Sequence, residues 1–269
     1  MADPLKLLAI LAHPDDESLG IGGTLAKYAA EGVETYLICA TRGERGWNGP
    51  PDKNPGLKVL GKIREEELMN AAQHLGLKEI VFLDYIDGDV DQVQPQKAIA
   101  DITAVIRRIR PQVVVTFDLN GIYGHPDHIA VSQFTTSALV CAASEGYHDP
   151  KGQLSHIVSK FYHAVDSMDL VAGFRELTGG ISMEIDGVKR THIGWEDWSI
   201  TTRIDCRNHF DATWKAILCH QSQLAGFGPL VDAPRAALMR FWGEGVFVRV
   251  FSMVNGGRDV ERDLFEGLR

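Results

Sequence analysis

Residues 5–17 read LKLLAILAHPDDE, a short apolar run followed at once by a histidine, a proline and three carboxylates. An apolar run of this length, bounded by polar residues, is typical of a buried β-strand. Leucine, glycine and alanine then recur at helical spacing until Gly32, and residues 33–40 form a second apolar run. Strand, helix and strand in this order predict a βαβ unit with two parallel strands.

The same alternation continues through the first two thirds of the chain. Residues 79–83, 112–117 and 159–165 are predicted strands, and Gly76 and Pro111 are expected to end the helices before the first two of them. The first four strands are apolar almost throughout, so we expect both of their faces to be buried.

Beyond these strands the pattern is less regular. We predict an α/β fold with a doubly wound, mostly parallel sheet, helices on both faces and a less regular C-terminal part. One domain is expected over residues 1–269. Further predicted elements are a helix over residues 127–143, hairpin-like segments around residues 183–193, an amphipathic helix that includes Phe210 and Leu218, and a late strand over residues 246–251.

The composition is that of an ordinary globular protein. Charged residues make up 23% of the chain, the net charge is -9 and the 27 Lys and Arg residues are scattered, so we expect no nucleic-acid partner. The four cysteines form no CxxC pair, and disulfides are not expected. The apolar run over residues 5–12 is too short to span a bilayer and lacks a basic flank. A cytoplasmic location is therefore expected, and a homo-oligomer is left open.

Two polar clusters follow strands that are predicted to be neighbours. HPDDE at residues 13–17 comes directly after the first strand, and YGHPDH at residues 123–128 comes shortly after the fourth. In a doubly wound sheet the chain order reverses at a switch point, where the carboxyl ends of these two strands lie side by side. Ligands bind at such a point. We therefore expect the two clusters to face each other across one site.

The residue types in these clusters suit a hydrolytic zinc site. Such a site needs about three nitrogen or oxygen ligands and one open position for water. His13 and Asp16 lie three apart at a strand-to-helix turn and can converge on one point, which His128 can complete. Asp15 would then be free to act as general base, because a metal ion lowers the pKa of bound water from 15.7 to about 7. Spacing alone does not distinguish Asp15 from Asp16, or His125 from His128.

Other interpretations have to be compared with this one. His-Pro-Asp can be an ordinary turn, and both Asp15 and Asp16 could simply cap the following helix. The joint placement of the clusters favours a functional site. The GIGG stretch at residues 20–23 could suggest dinucleotide binding, but its glycines lie inside the predicted helix rather than in a phosphate-cradling turn. A non-catalytic metal-binding module would need no base, whereas Asp15 is present.

The chain resembles a known family through AHPDDE at residues 12–17 and HPDH at residues 125–128, which look like the two signatures of the PIG-L or LmbE-like metal-dependent N-deacetylases. The similarity extends to GIGGT at residues 20–24, TRGE at residues 41–44 and HQSQ at residues 220–223. It implies a Rossmann-like fold. It also implies Zn²⁺, or another divalent ion such as Fe²⁺, with His13, Asp16 and His128 as ligands, Asp15 as general base and His125 as electrostatic or general-acid partner.

The resemblance further implies the substrate class. Family members act mostly on N-acetylglucosaminyl groups, so an N-acetylated amino sugar or its conjugate is expected, with an amide in a thiol conjugate as the alternative. Tyr123 or His125 would donate a hydrogen bond to the developing oxyanion. The proton for the departing amine would come from protonated Asp15 or from His125 as imidazolium.

The remaining candidates have supporting roles. Asp127 either orients one imidazole or caps a helix. Arg64 is either solvated or directed into the cleft, where it and Asp87 could bind substrate; Asp118 is a weaker candidate of the same kind. His220 is either a core histidine or a supporting residue of the site. The loop over residues 43–56 is longer than a simple connection needs and could face the substrate.

Overall fold

The computed structural model describes residues 3–149, 151–185 and 187–269. The strands are β1 (Lys6–Leu11), β2 (Glu34–Thr41), β3 (Glu79–Tyr85), β4 (Val113–Phe117), β5 (Lys160–Ala164), β6 (Ser182–Ile185), β7 (Val188–Thr191), β8 (Thr202–Asp205) and β9 (Glu244–Ser252). The main sheet has the order β3-β2-β1-β4-β5-β9-β8, and β6 and β7 form a separate hairpin. The first five strands in this order are parallel, whereas β9 is antiparallel to both β5 and β8.

Helices lie in two groups against this sheet. They are α1 (Asp16–Ala30), α2 (Leu57–Leu75), α3 (Pro95–Ile109), the short α4 (Gly121–Gly124), α5 (Pro126–Ala143), α6 (Met168–Thr178), α7 (Phe210–Cys219) and α8 (Arg235–Trp242). Helices α3 and α5 pack together, and α1, α2 and α7 form the other group. The predicted doubly wound α/β architecture is confirmed.

The switch point lies between β1 and β4. Leu8 of β1 pairs with Tyr36 of β2 on one side and with Val114 of β4 on the other. The chain runs from β1 outward to β2 and β3 on one side, and then returns to the other side of β1 to form β4 and β5. The connections on the two sides therefore diverge, which opens a crevice at the carboxyl ends of β1 and β4. The two polar clusters enter this crevice, as predicted.

Burial explains which strands could be predicted. Strands β1, β2 and β4 are buried over nearly their whole length, as expected for central strands of a parallel sheet. The expectation was wrong for β3, which is mostly half-buried because it forms the edge of the sheet. Helix α2 ends at Gly76, whose backbone has a left-handed conformation. Helix α3 ends at Ile109, two residues before Pro111.

The less regular C-terminal part contains elements that the sequence did not predict. Helix α6, helix α8 and strand β8 are short, and β8 has only four residues. The predicted hairpin is present as β6 and β7. Among the described residues, no helix is long and apolar enough to cross a membrane. A single domain over residues 1–269 stays a prediction.

Candidate metal centre and active site

A strained turn joins β1 to α1 and carries the first polar cluster. Asp15, which directly precedes α1, has a φ of 117°, a region that residues other than glycine seldom occupy. Its side chain makes no capping hydrogen bond to the helix, so the simple helix-cap interpretation does not hold. The Asp15 backbone N–H instead donates to Glu17 Oε2 at 3.0 Å. Such strain persists only where the surroundings hold it, and it is common at functional sites.

Three predicted ligands meet at one point in the crevice. His13 Nδ1 lies 3.5 Å from Asp16 Oδ2 and 3.3 Å from His128 Nε2, and His128 Nε2 lies 3.4 Å from Asp16 Oδ1. Nitrogen and oxygen ligands about 2.1 Å from a tetrahedral ion stand about 3.4 Å from one another. The spacing of these three side chains is therefore close to what a divalent metal ion requires. His125 also offers a ring nitrogen within 4.8 Å of those of His13 and His128.

The other ring nitrogen of His13 is held by two carboxylates. His13 Nε2 lies 3.0 Å from Asp127 Oδ2 and 3.1 Å from Asp87 Oδ1. Asp127 is itself fixed by the backbone N–H groups of Gly88 and Val90. A carboxylate at Nε2 places a proton there and leaves Nδ1 to face the triad, which is the usual arrangement around ligating histidines.

These contacts settle the alternatives for Asp127 and locate Asp87. Asp127 contacts an imidazole and does not cap α5; the cap is His125, whose Nδ1 accepts from the Asp127 backbone N–H. Asp87, a candidate for substrate binding, accepts from the Arg45 backbone N–H and contacts His13. It lies behind the triad and does not line the cavity described below.

The surroundings set the protonation of the three ligands. Burial acts to lower the pKa of His13, but three neighbouring carboxylates outweigh it and raise that pKa well above its usual range. Burial lowers the pKa of His128 to about 3, so its ring is neutral. Although burial acts to raise it, the neighbouring imidazoles hold the pKa of Asp16 well below its usual range. A metal ion requires neutral imidazole and ionised carboxylate, so binding would release the His13 proton.

Asp15 is left outside the triad and pairs with Arg64. Arg64 Nη2 lies 3.2 Å from Asp15 Oδ2, and the guanidinium also donates to the carbonyls of Gly43 and Pro14. Arg64 is only 3% exposed, so it is not solvated; its polar contacts are with the base candidate and with backbone. Burial, partly offset by Arg64, raises the pKa of Asp15 to about 6. A carboxyl group with such a pKa can both accept and return a proton near neutral pH.

His125 and Tyr123 lie beside the triad. Because His125 Nδ1 accepts from the Asp127 backbone N–H at 3.1 Å, its proton is on Nε2. Burial and the charge of His13 lower the pKa of His125, so the structure disfavours the imidazolium form considered from the sequence. Burial raises the pKa of Tyr123, and its hydroxyl stays protonated. Both residues can therefore donate a hydrogen bond without carrying charge.

A buried ion pair contacts the turn between β1 and α1. His220 Nε2 lies 2.8 Å from Glu17 Oε1, and both side chains are fully buried. Glu17 in turn holds the Asp15 backbone N–H, which connects His220 to the conformation of the strained turn. His220 thus has the supporting contact that the sequence left open. Glu17 is the last residue of HPDDE, and this carboxylate in the motif is the feature from which a partner such as His220 could have been predicted.

The weaker candidates have structural contacts. Asp118 accepts from the Trp195 indole N–H at 2.6 Å and from the Ile122 backbone N–H, which fixes the turn before Tyr123. The loop over residues 43–56 is tied to Gln223, which donates to the Gly46 carbonyl. Sequence reasoning missed His192 and Asp166, which pair at 2.6 Å in the wall of the cavity, because neither belongs to a recognisable motif.

A cavity of about 410 Å³ begins at the triad, with Asp15, Asp16, Tyr123 and His128 in its lining. Volumes of this size are typical of small-molecule sites. Potential metal ligands, the Asp15 carboxylate and the Tyr123 hydroxyl thus meet at one end of the cavity, with His125 adjacent to the triad. These are the kinds of group that metal-assisted hydrolysis uses.

Comparison with known proteins identifies the family. The family model PIG-L, described as GlcNAc-PI de-N-acetylase, matches residues 8–139. A relative from Thermobispora bispora is named 1D-myo-inositol 2-acetamido-2-deoxy-alpha-D-glucopyranoside deacetylase, and one from Catenulispora acidiphila has the same name followed by the number 3. Each relative is 32% identical to this chain and aligns with 100% of it. The alignment covers 88% of the Catenulispora acidiphila protein and 100% of the Thermobispora bispora protein. The chain belongs to the PIG-L family. As a member of the family it is an N-deacetylase, and the predicted hydrolase class is confirmed.

Solved structures show how far the fold alone can inform function. An N,N'-diacetylchitobiose deacetylase from Pyrococcus horikoshii has a TM-score of 0.68 at 22% identity, covering 92% of this chain and 84% of its own. A 4-carboxy-2-hydroxymuconate hydratase from Pseudomonas putida has a TM-score of 0.64 at 21% identity, covering 94% and 99%. Both share the fold of this chain although their names state different reactions, so the likeness to them shows the fold alone.

Proposed function

We propose that this PIG-L family enzyme removes the acetyl group from an N-acetylglucosaminyl unit that is part of a larger conjugate, with Zn²⁺ or another divalent ion such as Fe²⁺ as cofactor. The observation that carries the proposal is the triad of His13, Asp16 and His128, with the carboxylate of Asp15 beside the triad but not part of it. The names of the 32% identical relatives support the acetamido sugar as substrate class.

The triad would hold the ion, and its contacts prepare it to do so. Asp127 and Asp87 orient the His13 ring, while the backbone N–H of His13 donates to Asp16 Oδ2 at 2.7 Å and fixes that carboxylate. When bound, a divalent ion polarises the amide carbonyl and lowers the pKa of a water molecule that attacks it.

Asp15 would move the protons of the reaction. Arg64 holds its Oδ2, so Oδ1 is the oxygen available to accept the proton of the attacking water. The raised pKa of about 6 allows the same carboxyl group to keep that proton and then deliver it to the departing amine. Arg64 thus acts as a positioning residue for the base, and a direct contact with substrate is not needed to explain its burial.

Tyr123 and His125 would stabilise the negative charge that develops on the carbonyl oxygen. The tyrosine hydroxyl and the Nε2–H of His125 are neutral donors at the edge of the triad. Preorganised donors of this kind are among the largest contributions to catalysis of acyl transfer. Because the His125 pKa is lowered, Asp15 is the better proton source for the amine.

The proposal is tested with protein stripped by a chelator and then loaded with one equivalent of Zn²⁺ or Fe²⁺. We expect the loaded protein to release free amine from 1D-myo-inositol 2-acetamido-2-deoxy-α-D-glucopyranoside or a simpler N-acetylglucosaminide. The stripped protein should release none, because the attacking water then keeps its ordinary pKa. Loaded protein that binds stoichiometric metal but deacetylates no acetamido sugar would contradict the proposed function.

A further inference from the structure

The cavity extends well beyond the catalytic groups. From Asp15, Asp16 and His128 it continues between α1, α6, α8 and the 3-10 segment Leu224–Leu230. Most of this distant wall lies outside residues 8–139, the part of the chain that the family model matches. The distant wall is the part of the cavity that these four segments form, away from the catalytic groups.

The distant wall is formed mainly by hydrocarbon. Rings of Phe174 and Phe241 lie 4.2 Å apart between centroids, and Phe174 and Trp242 lie 6.0 Å apart. The indole N–H of Trp242 donates to the Leu19 carbonyl at 2.9 Å, so the one polar atom of this side chain is already bonded. Other apolar side chains of the wall include Leu170, Phe227 and Leu230.

Three polar side chains of the distant wall are engaged with the protein itself, whereas the Nδ1 atom of His192 has no hydrogen-bond partner among the described residues. Asp166 pairs with His192 at 2.6 Å, and the Thr178 hydroxyl donates to the Phe174 carbonyl at 2.7 Å. Glu244 binds Arg203 at 2.6 Å. A polyol such as inositol needs a partner for each buried hydroxyl, and hydroxyls left without one cost free energy. An apolar group has no such requirement and gains by leaving water.

We propose that the substrate of this enzyme is an N-acetylglucosaminyl compound whose aglycone is an aliphatic or aromatic group, and that this group binds against the distant wall. The inference rests on the proposed function. If the acyl group that is removed is only an acetyl group, the aglycone is the part of the substrate that can fill the cavity. Phe174, Phe241 and Trp242 determine specificity for the aglycone, while the triad and Asp15 act on the acetamide.

The test uses zinc-loaded full-length protein and alkyl 2-acetamido-2-deoxy-α-D-glucopyranosides from methyl to hexyl. We expect kcat/KM to rise about fourfold for each methylene group that enters the cavity. The hexyl glycoside should be a better substrate than the inositol glycoside. A flat alkyl series with the inositol glycoside preferred would overturn the inference while the deacetylase function stood. No amine from any of these compounds would mean that the proposed function itself is wrong.

Two further comparisons locate the apolar group. N-hexanoylglucosamine tests the acyl side: if it exceeded the hexyl N-acetylglucosaminide in kcat/KM, the cavity would bind an acyl chain and the aglycone assignment would be wrong. In Phe174→Asn we expect the hexyl-to-methyl ratio of kcat/KM to fall at least tenfold. The matched control Trp198→Asn, at a residue that is 85% exposed and outside the cavity, should leave that ratio unchanged. An equal hexyl-to-methyl ratio of kcat/KM in the two variants would overturn the inference. Should Phe174→Asn fail to fold, the alkyl series measured on the unaltered protein is the deciding experiment.

Discussion

At the scale of single residues, Asp15 has the sharpest proposed role. Asp15→Asn should retain stoichiometric zinc and lose roughly 10²–10⁴-fold in turnover, because an amide has nearly the size of the carboxylate but cannot accept the proton. Asparagine also tolerates the positive φ of this position better than most residues. Turnover and bound metal are measured on the same preparation.

The control for this variant is Asp259→Asn, at an exposed position. It makes the same chemical change away from the crevice and should match the unaltered protein in both measurements. If Asp15→Asn kept turnover within about threefold of the unaltered protein, the base would have to be another carboxylate.

His125 gives a prediction on which sequence and structure differ. The sequence allowed an imidazolium, whose contribution would be lost as pH rises through its pKa. Since burial lowers the pKa of His125, the ring is neutral at neutral and alkaline pH and its donor is present throughout that range. His125→Asn should therefore lower turnover about 10²–10³-fold without changing the shape of the alkaline limb of the pH–rate profile.

Asparagine is chosen at this position because it is a good helix N-cap and can replace the hydrogen bond from the Asp127 backbone N–H to His125. Zinc content and thermal stability should then stay close to those of the unaltered protein. A variant that lost the alkaline limb alone would show that His125 works as a cation.

At the scale of elements, α1 shows why its glycines are present. A methyl group at Gly23 would come within 2.6 Å of Cys206 Cβ, whereas one at Gly20 would meet nothing within 4 Å. Gly23 thus allows α1 to approach the segment before α7 closely. Close packing therefore explains Gly23, one of the glycines that were considered for dinucleotide binding.

This contact gives a matched pair of stability variants. Alanine is favoured over glycine inside a helix by about 1 kcal/mol, so Gly20→Ala should be neutral or slightly stabilising. Gly23→Ala should be destabilising by about 1–3 kcal/mol, because the overpacking outweighs that preference. Urea unfolding measures both. Equal free energies of unfolding for the two variants would show that the α1 contact at Cys206 is not tight.

The elements also show what could be predicted from the sequence. Strands β1, β2 and β4 could be predicted because buried central strands have continuous apolar runs, and the topology then brought His13 and His128 together. The contact of Asp127 with His13 could not be chosen over a helix cap, since both fit the same position in the sequence. Helices α6 and α8, which contribute to the distant wall, have only 11 and 8 residues, no longer than the shortest window in which a helical apolar period is recognised.

At the scale of the whole molecule, a buried ionic network joins the antiparallel end of the sheet to the segment after β9. Glu261, which is 2% exposed, accepts from Lys160 Nζ at 2.6 Å and from the hydroxyls of Tyr162 and Thr202 at 2.8 Å. Burial acts to raise the pKa of Glu261, but these hydrogen bonds outweigh it and lower that pKa to about 2. β5 and β8 are thereby connected through one carboxylate.

Linkage fixes how this network should respond to pH. A carboxyl group whose pKa is lowered in the folded state stabilises the protein fully above its unfolded pKa of about 4.3, and the contribution is lost as pH falls toward about 2.

Glu261→Gln should cost about 3–5 kcal/mol at pH 7, since it leaves the buried Lys160 ammonium without a counter-charge. The difference in the free energy of unfolding between this variant and the unaltered protein should shrink as pH falls from 5 toward 2. The unfolded carboxyl group binds its proton first, and the folded carboxylate becomes neutral only near its pKa of about 2. Glu66→Gln, at an exposed position of α2, should differ little from the unaltered protein at any of these pH values. A difference for Glu261→Gln that stayed constant from pH 7 to pH 3 would mean that the charge of Glu261 does not stabilise this end of the sheet.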